Sequence, residues 1–143
     1  KRSPSILEEN CMDSPFKVGM SHELRQKTGP EHSARKFYAD LPDAFATPFL
    51  VGLMEGVSAD FMAKHLQPGE QSVGIGINLK HTAPTPLGME VRVVTELTGV
   101  EGKKLTFKLV AFDEKEKIGE ATHERFIINA DKFMKKLAGK AGG

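Results

Sequence analysis

The spacing of apolar and polar residues changes character several times along the chain. From Phe16 to Leu24 apolar positions recur loosely at every second residue, through Val18 and Met20, which predicts a first strand. Residues 30–43 then lose any period. They form a charged, proline-bounded connection carrying Phe37, Tyr38 and Leu41, of a length that in a small domain often covers a site. A helix is predicted from Pro48 to Leu66, ending before Pro68-Gly69. Thr47 before Pro48 suits its start, because the hydroxyl can accept from an early backbone N–H and proline at the first helical position sacrifices no donor. The first half of this helix is apolar on nearly every side, the mark of a helix wrapped by other elements. Gly52 and Gly56 within it cost about 1 kcal/mol each relative to alanine and predict close approach by neighbouring backbone.

Four further strands are predicted. Gln71–His81 alternates, with Val73, Ile75, Ile77 and Leu79 on one face and Gly74, Gly76, Asn78 and Lys80 on the other. Met89–Thr98, Lys104–Asp113 and Lys117–Ile128 follow, separated by short turns at residues 99–102 and 114–116, which implies an antiparallel meander. Asp131–Leu137 reads as a short terminal helix. Residues 1–15 read as a weakly ordered segment, 16–138 as one domain, and the Gly-rich 139–143 as a disordered tail. One strand, a fully apolar helix and then four strands is an α+β arrangement in which a sheet curls around the helix. That is the pattern of a hot-dog fold.

Composition narrows the function. The chain has 143 residues, 39% of them hydrophobic, as one compact core requires. A formal charge of +1 supplies no field for a polyanion, so no nucleic-acid partner is expected. Cys11, the single cysteine, excludes an internal disulfide and a cysteine-based metal site, and fits a reducing, cytoplasmic compartment. No stretch approaches the roughly 20 apolar residues of a membrane span, and no signal peptide is recognisable. Neither a metal nor a cofactor is called for.

Candidate chemistry concentrates at three positions. Glu55 is the only ionisable residue between Asp43 and Asp60, in the most apolar part of the helix. It reads as a buried carboxylate with a pKa raised by desolvation, acting as nucleophile or general base, or as one that escapes through a gap between strands or is satisfied by a structural hydrogen bond. His81 continues the face of Ile77 and Leu79 and should point at the helix, as an acid–base group or a hydrogen-bonded rim residue. Thr47 is a cap by default, but it stands where helical N–H groups favour a developing oxyanion. His123 and Arg125 share a strand face with Gly119 and Ala121. His123 reads as structural; Arg125 either holds an anion through its fork or pairs with an acid across the sheet. His22, His32 and His65 read as solvated. Gly74-Ile75-Gly76 lies within a strand and opens no helix, so it is not a dinucleotide loop.

Three segments, 46–55, 80–89 and 119–126, together resemble the hot-dog acyl-CoA thioesterases, and among them the fluoroacetyl-CoA thioesterase-like group. The resemblance implies hydrolysis of a short-chain acyl-CoA by a Thr/Glu/His set at Thr47, Glu55 and His81. It also implies that Gly74 lies near the thioester, that Arg125 lines the substrate region, and that Phe37, Tyr38 and Leu41 partly echo a covering segment. Coenzyme A enters as part of the substrate. Thr47 and Glu55 are about 12 Å apart along a helix axis and about 80° apart around it. His81 or a second subunit must close that gap, so a homodimer with the site at its interface is expected. The alternatives are a non-catalytic acyl-CoA binding module and a hot-dog enoyl-CoA hydratase.

Overall fold

The apolar helix forms where the sequence directs it: α1 spans Thr47–Ala63 in the computed structural model, which describes residues 14–142. It lies on one face of a five-stranded antiparallel sheet of β1 (Ser21–Lys27), β2 (Glu70–His81), β3 (Glu90–Glu101), β4 (Lys104–Phe112) and β5 (Lys117–Asn129). α2 (Ala130–Gly142) closes the described chain. The strand order is β1-β3-β4-β5-β2, so β2 is an edge strand. β3, β4 and β5 form the expected meander. β2 does not join it as a neighbour of β3, because residues 82–89 cross the end of the sheet, held by Thr82 and Ala83 N–H on the Ile118 carbonyl and by Gly88 N–H on that of Thr28.

The core is the inner sheet face against one side of α1. Leu50, Met54, Val57, Phe61 and Met62 of the helix meet Val91, Val93, Leu97, Leu105, Phe107 and Leu109. Phe107 is fully buried, with its ring 5.9 Å from Phe61 and 6.4 Å from His123. Phe107→Ala is expected to cost about 3–5 kcal/mol. The loss should appear as a lower urea midpoint at unchanged slope.

Several expectations need correction. The first strand begins at Ser21, not Phe16. Gly19 adopts φ +100° in a turn, and that turn frees Phe16 to pack on Phe61 at the far end of α1. α1 stops at Ala63, short of Leu66. Among the described residues the wrapping of α1 is one-sided, because a Cβ on Gly52 or Gly56 meets nothing outside the helix within 4 Å. The glycines therefore do not serve close backbone approach by any described residue. α2 continues helically to Gly142, through Gly139 to Gly142 of the residues read as a tail. The expectation for residues 1–13 lies outside the described residues. His32 and His65 are not solvated: His32 accepts from Gly29 N–H and packs edge-on to Phe49, and His65 packs on Phe16 and Phe61. His22 pairs with Asp60 at 2.7 Å.

Candidate active site

The head of α1 and the end of β2 meet. Ala46, not Thr47, is the N-cap, and Thr47 is the first helical residue. Its hydroxyl is therefore not spent on capping, as the sequence suggested, but lies 2.8 Å from His81 Nδ1. His81 Nε2 is buried without a hydrogen-bond partner among the described residues, and burial holds the imidazole below its ordinary pKa of 6.5. The pair borders a pocket of about 490 Å³ roofed by the connection between β1 and α1, with Phe37, Leu41 and Phe45 among its walls. Phe37 is anchored there by a ring contact with Phe49 at 5.3 Å. Tyr38, 62% exposed, does not line this pocket.

A second polar cluster sits further along α1. Arg125, 7% exposed, donates through Nε to Ser72 Oγ (3.0 Å) and through Nη2 to the Ser72 carbonyl (3.2 Å). Its Nη1 faces Glu55 Oε2 at 3.5 Å. Burial lowers the pKa of Arg125 from its ordinary value, and Glu55 opposes that shift. The guanidinium stays charged throughout the physiological range. Glu55 is not in the dry environment predicted for it: its side chain is 42% exposed and paired with Arg125. Among the described residues nothing covers the side of α1 that carries Gly52 and Gly56, and Glu55 emerges beside it. Glu55 is not among the residues around the Thr47–His81 pocket, so within one chain the three predicted residues divide into a pair and a separate acid.

A bulge allows both clusters to face α1. Gly74 pairs with Arg125 and Gly76 with Glu124, which leaves Ile75 out of register and 52% exposed. Before the bulge, Ser72 and Gly74 point inward; after it, Ile77, Leu79 and His81 do. Strict alternation would have put residues 74 and 81 on opposite faces. The expected inward placement of Val73 and Ile75 is therefore corrected, while that of His81 holds. A Cβ at Gly74 would collide with Glu55 Oε2 and stand 3.2 Å from Arg125 Nη1, so only glycine leaves the carboxylate its place. Ser72, the anchor of Arg125, was missed by the sequence reading, since its inward direction depends on the bulge.

A family model described as fluoroacetyl-CoA-specific thioesterase matches residues 29–131, a span that holds α1, β2 to β5 and both clusters. The chain belongs to that family. Its fellow member, the fluoroacetyl-CoA thioesterase of Streptantibioticus cattleyicolor, is 46% identical over 103 residues, 72% of this chain and 74% of the relative. A solved variant of a fluoroacetyl-CoA-specific thioesterase, in complex with fluoroacetate and CoA, is 40% identical with a TM-score of 0.80, covering 82% of this chain and 99% of its own. A hot-dog-like protein from Thermanaerovibrio acidaminovorans, 22% identical, matches with a TM-score of 0.83 over 90% of this chain and 95% of its own, and shows the fold alone. The fold is thus the hot-dog arrangement that the alternation of elements implied. Membership of the fluoroacetyl-CoA-specific thioesterase family makes the chain a thioester hydrolase.

Proposed function

We propose that the protein hydrolyses a short-chain acyl-CoA to the free acid and CoA, with Thr47, His81 and Glu55 as the reacting set. The 2.8 Å contact between Thr47 Oγ1 and His81 Nδ1, at the mouth of an apolar pocket, is the observation that carries this reading. The acyl group enters between Phe37, Leu41 and Phe45. The carbonyl oxygen lies toward the N-terminus of α1, whose partial positive charge favours the tetrahedral oxyanion. His81, kept neutral by burial, accepts the proton of the attacking hydroxyl and returns it to the departing sulfur. Water supplies the new C–O bond, the C–S bond breaks, and CoA leaves as the thiol. Attack by water directly and passage through a transient acyl-enzyme give the same balance.

Glu55 is brought to this centre by a second subunit. Among the described residues β2 is an edge strand whose bulge exposes Ile75, and α1 has no neighbour within 4 Å of a Cβ at Gly52 or Gly56. A two-fold pairing would cover all three features and set the half-exposed Glu55 of one protomer near the Thr47–His81 pair of its partner.

Purified protein should release free thiol from acetyl-, fluoroacetyl- or propionyl-CoA with saturation kinetics. Tight binding of these thioesters without thiol release would make it a binding module. Hydration of enoyl-CoA without thiol release would make it a hydratase. Either result removes the proposed reaction.

A further inference from the structure

One side chain in the Glu55 cluster has no task in the reaction above. His123 on β5 is 1% exposed, with Nδ1 2.7 Å from the Gly76 carbonyl oxygen and Nε2 3.3 Å from Arg125 Nη1. These partners leave the imidazole no freedom. A carbonyl oxygen only accepts, so Nδ1 carries the proton; a guanidinium nitrogen only donates, so Nε2 is bare.

We propose that His123, fixed as the neutral Nδ1–H tautomer, is a positioning residue that aims Arg125 at Glu55 and pins the β2 bulge that turns Gly74 inward. Its consequence for turnover rests on the hydrolase reading; its tautomer and its two hydrogen bonds do not.

The guanidinium is divided among its neighbours. Ser72 takes Nε and Nη2, which leaves Nη1 for His123 Nε2 and Glu55 Oε2. An apolar side chain at 123 would strip an acceptor from the buried Arg125 Nη1 and a donor from the Gly76 carbonyl. A protonated imidazole would set a second cation 3.3 Å from the first. The charged groups facing His123 are Arg125 and Glu124 from β5 and Glu55 from α1. Burial and Arg125 push its pKa down from 6.5, while the Gly76 hydrogen bond, Glu55 and Glu124 push it up, and burial is the largest of these. Phe107 on β4 closes the other side of the ring at 6.4 Å. The contact with Gly76 falls where β2 slips register, so one ring ties the bulge, the arginine and the acid together.

Imidazole ¹⁵N spectra of the intact protein should show a protonated Nδ1 and a bare Nε2 on His123 throughout the pH range in which it is folded. An Nε2–H tautomer or a doubly protonated ring overturns the proposal, whether or not thiol release is detected. Where the protein does release thiol, His123→Phe should lower kcat/KM by about tenfold to a hundredfold, the scale of a misaimed supporting group. His123→Gln, which keeps an acceptor for Nη1, should recover most of it. In an Arg125→Ala background the same His123 changes should cost less kcat/KM than in the wild type, because only the contact with the bulge is left to lose. Equal losses in both backgrounds, or a full kcat/KM in folded His123→Gln and His123→Phe proteins, overturns it. If His123→Phe does not fold, the ¹⁵N spectra decide.

Discussion

His81→Ala is expected to lower kcat for thiol release by a factor of about 10²–10⁴, the range spanned by a positioned general base. Little stability should be lost with it. The ring meets Phe45 edge-on at 6.3 Å, and its Nε2 is buried without a hydrogen-bond partner among the described residues. A buried polar atom left unsatisfied costs about 1–3 kcal/mol, so alanine removes that cost together with some packing. Thermal unfolding should therefore shift far less than turnover. A deep loss of kcat at nearly constant Tm separates chemistry from scaffolding. His81→Asn makes the test stricter, because it retains an acceptor beside Thr47 Oγ1 but no base. It should be as inactive as alanine if proton transfer is the role, and substantially active if the ring only orients the hydroxyl.

The pH profile carries the same claim independently. Burial lowers the pKa of His81, so the neutral, proton-accepting ring persists below the ordinary 6.5. kcat/KM should be flat through neutrality and fall only once the pH drops beneath that ordinary value. A limb centred above 6.5 would contradict a desolvated base at this position.

The parts of this site that could be read from the sequence follow from local rules, and the parts that could not depend on what another layer covers. The places of Thr47 and His81 were legible because Thr-Pro opens a helix, although Ala46 rather than Thr47 caps it, and because His81 continues the parity of Ile77 and Leu79. The bulge at Ile75 was not identifiable. Gly74 and Gly76 specify register weakly, and a single inserted residue exchanges the faces before it, which is why Ser72 was missed and Val73 and Ile75 were misplaced. Glu55 was misjudged for a different reason. An all-apolar helix announces that it is covered without saying by which chain, and here one sheet covers only one side. The crossing of residues 82–89 was likewise invisible, since a break containing Thr85 and Pro86 is compatible with a hairpin or a crossover.

Glu55→Gln is expected to cut turnover by about 10²-fold or more while leaving the protein folded, because the side chain is 42% exposed and an amide can still accept from Arg125 Nη1. The two-subunit arrangement adds a sharper expectation. If Glu55 of one protomer serves the Thr47–His81 pair of its partner, a heterodimer of Glu55→Gln and His81→Ala chains has one site with both residues intact and one with neither. Random reassortment makes half of all dimers heterodimers, and half of their sites are whole, so mixing two inactive proteins should restore about a quarter of wild-type activity. Glu55 acting within its own chain predicts the opposite, since every site in every mixed dimer would then lack one residue and the mixture would stay inactive. Co-expression with two affinity tags, followed by thiol-release assays on the doubly tagged species, distinguishes these outcomes. Sedimentation velocity on the wild-type protein gives the accompanying control: a monomer with full activity would leave the exposed Glu55 carboxylate no partner to serve, and the acid would have to reach the Thr47–His81 pair along its own helix.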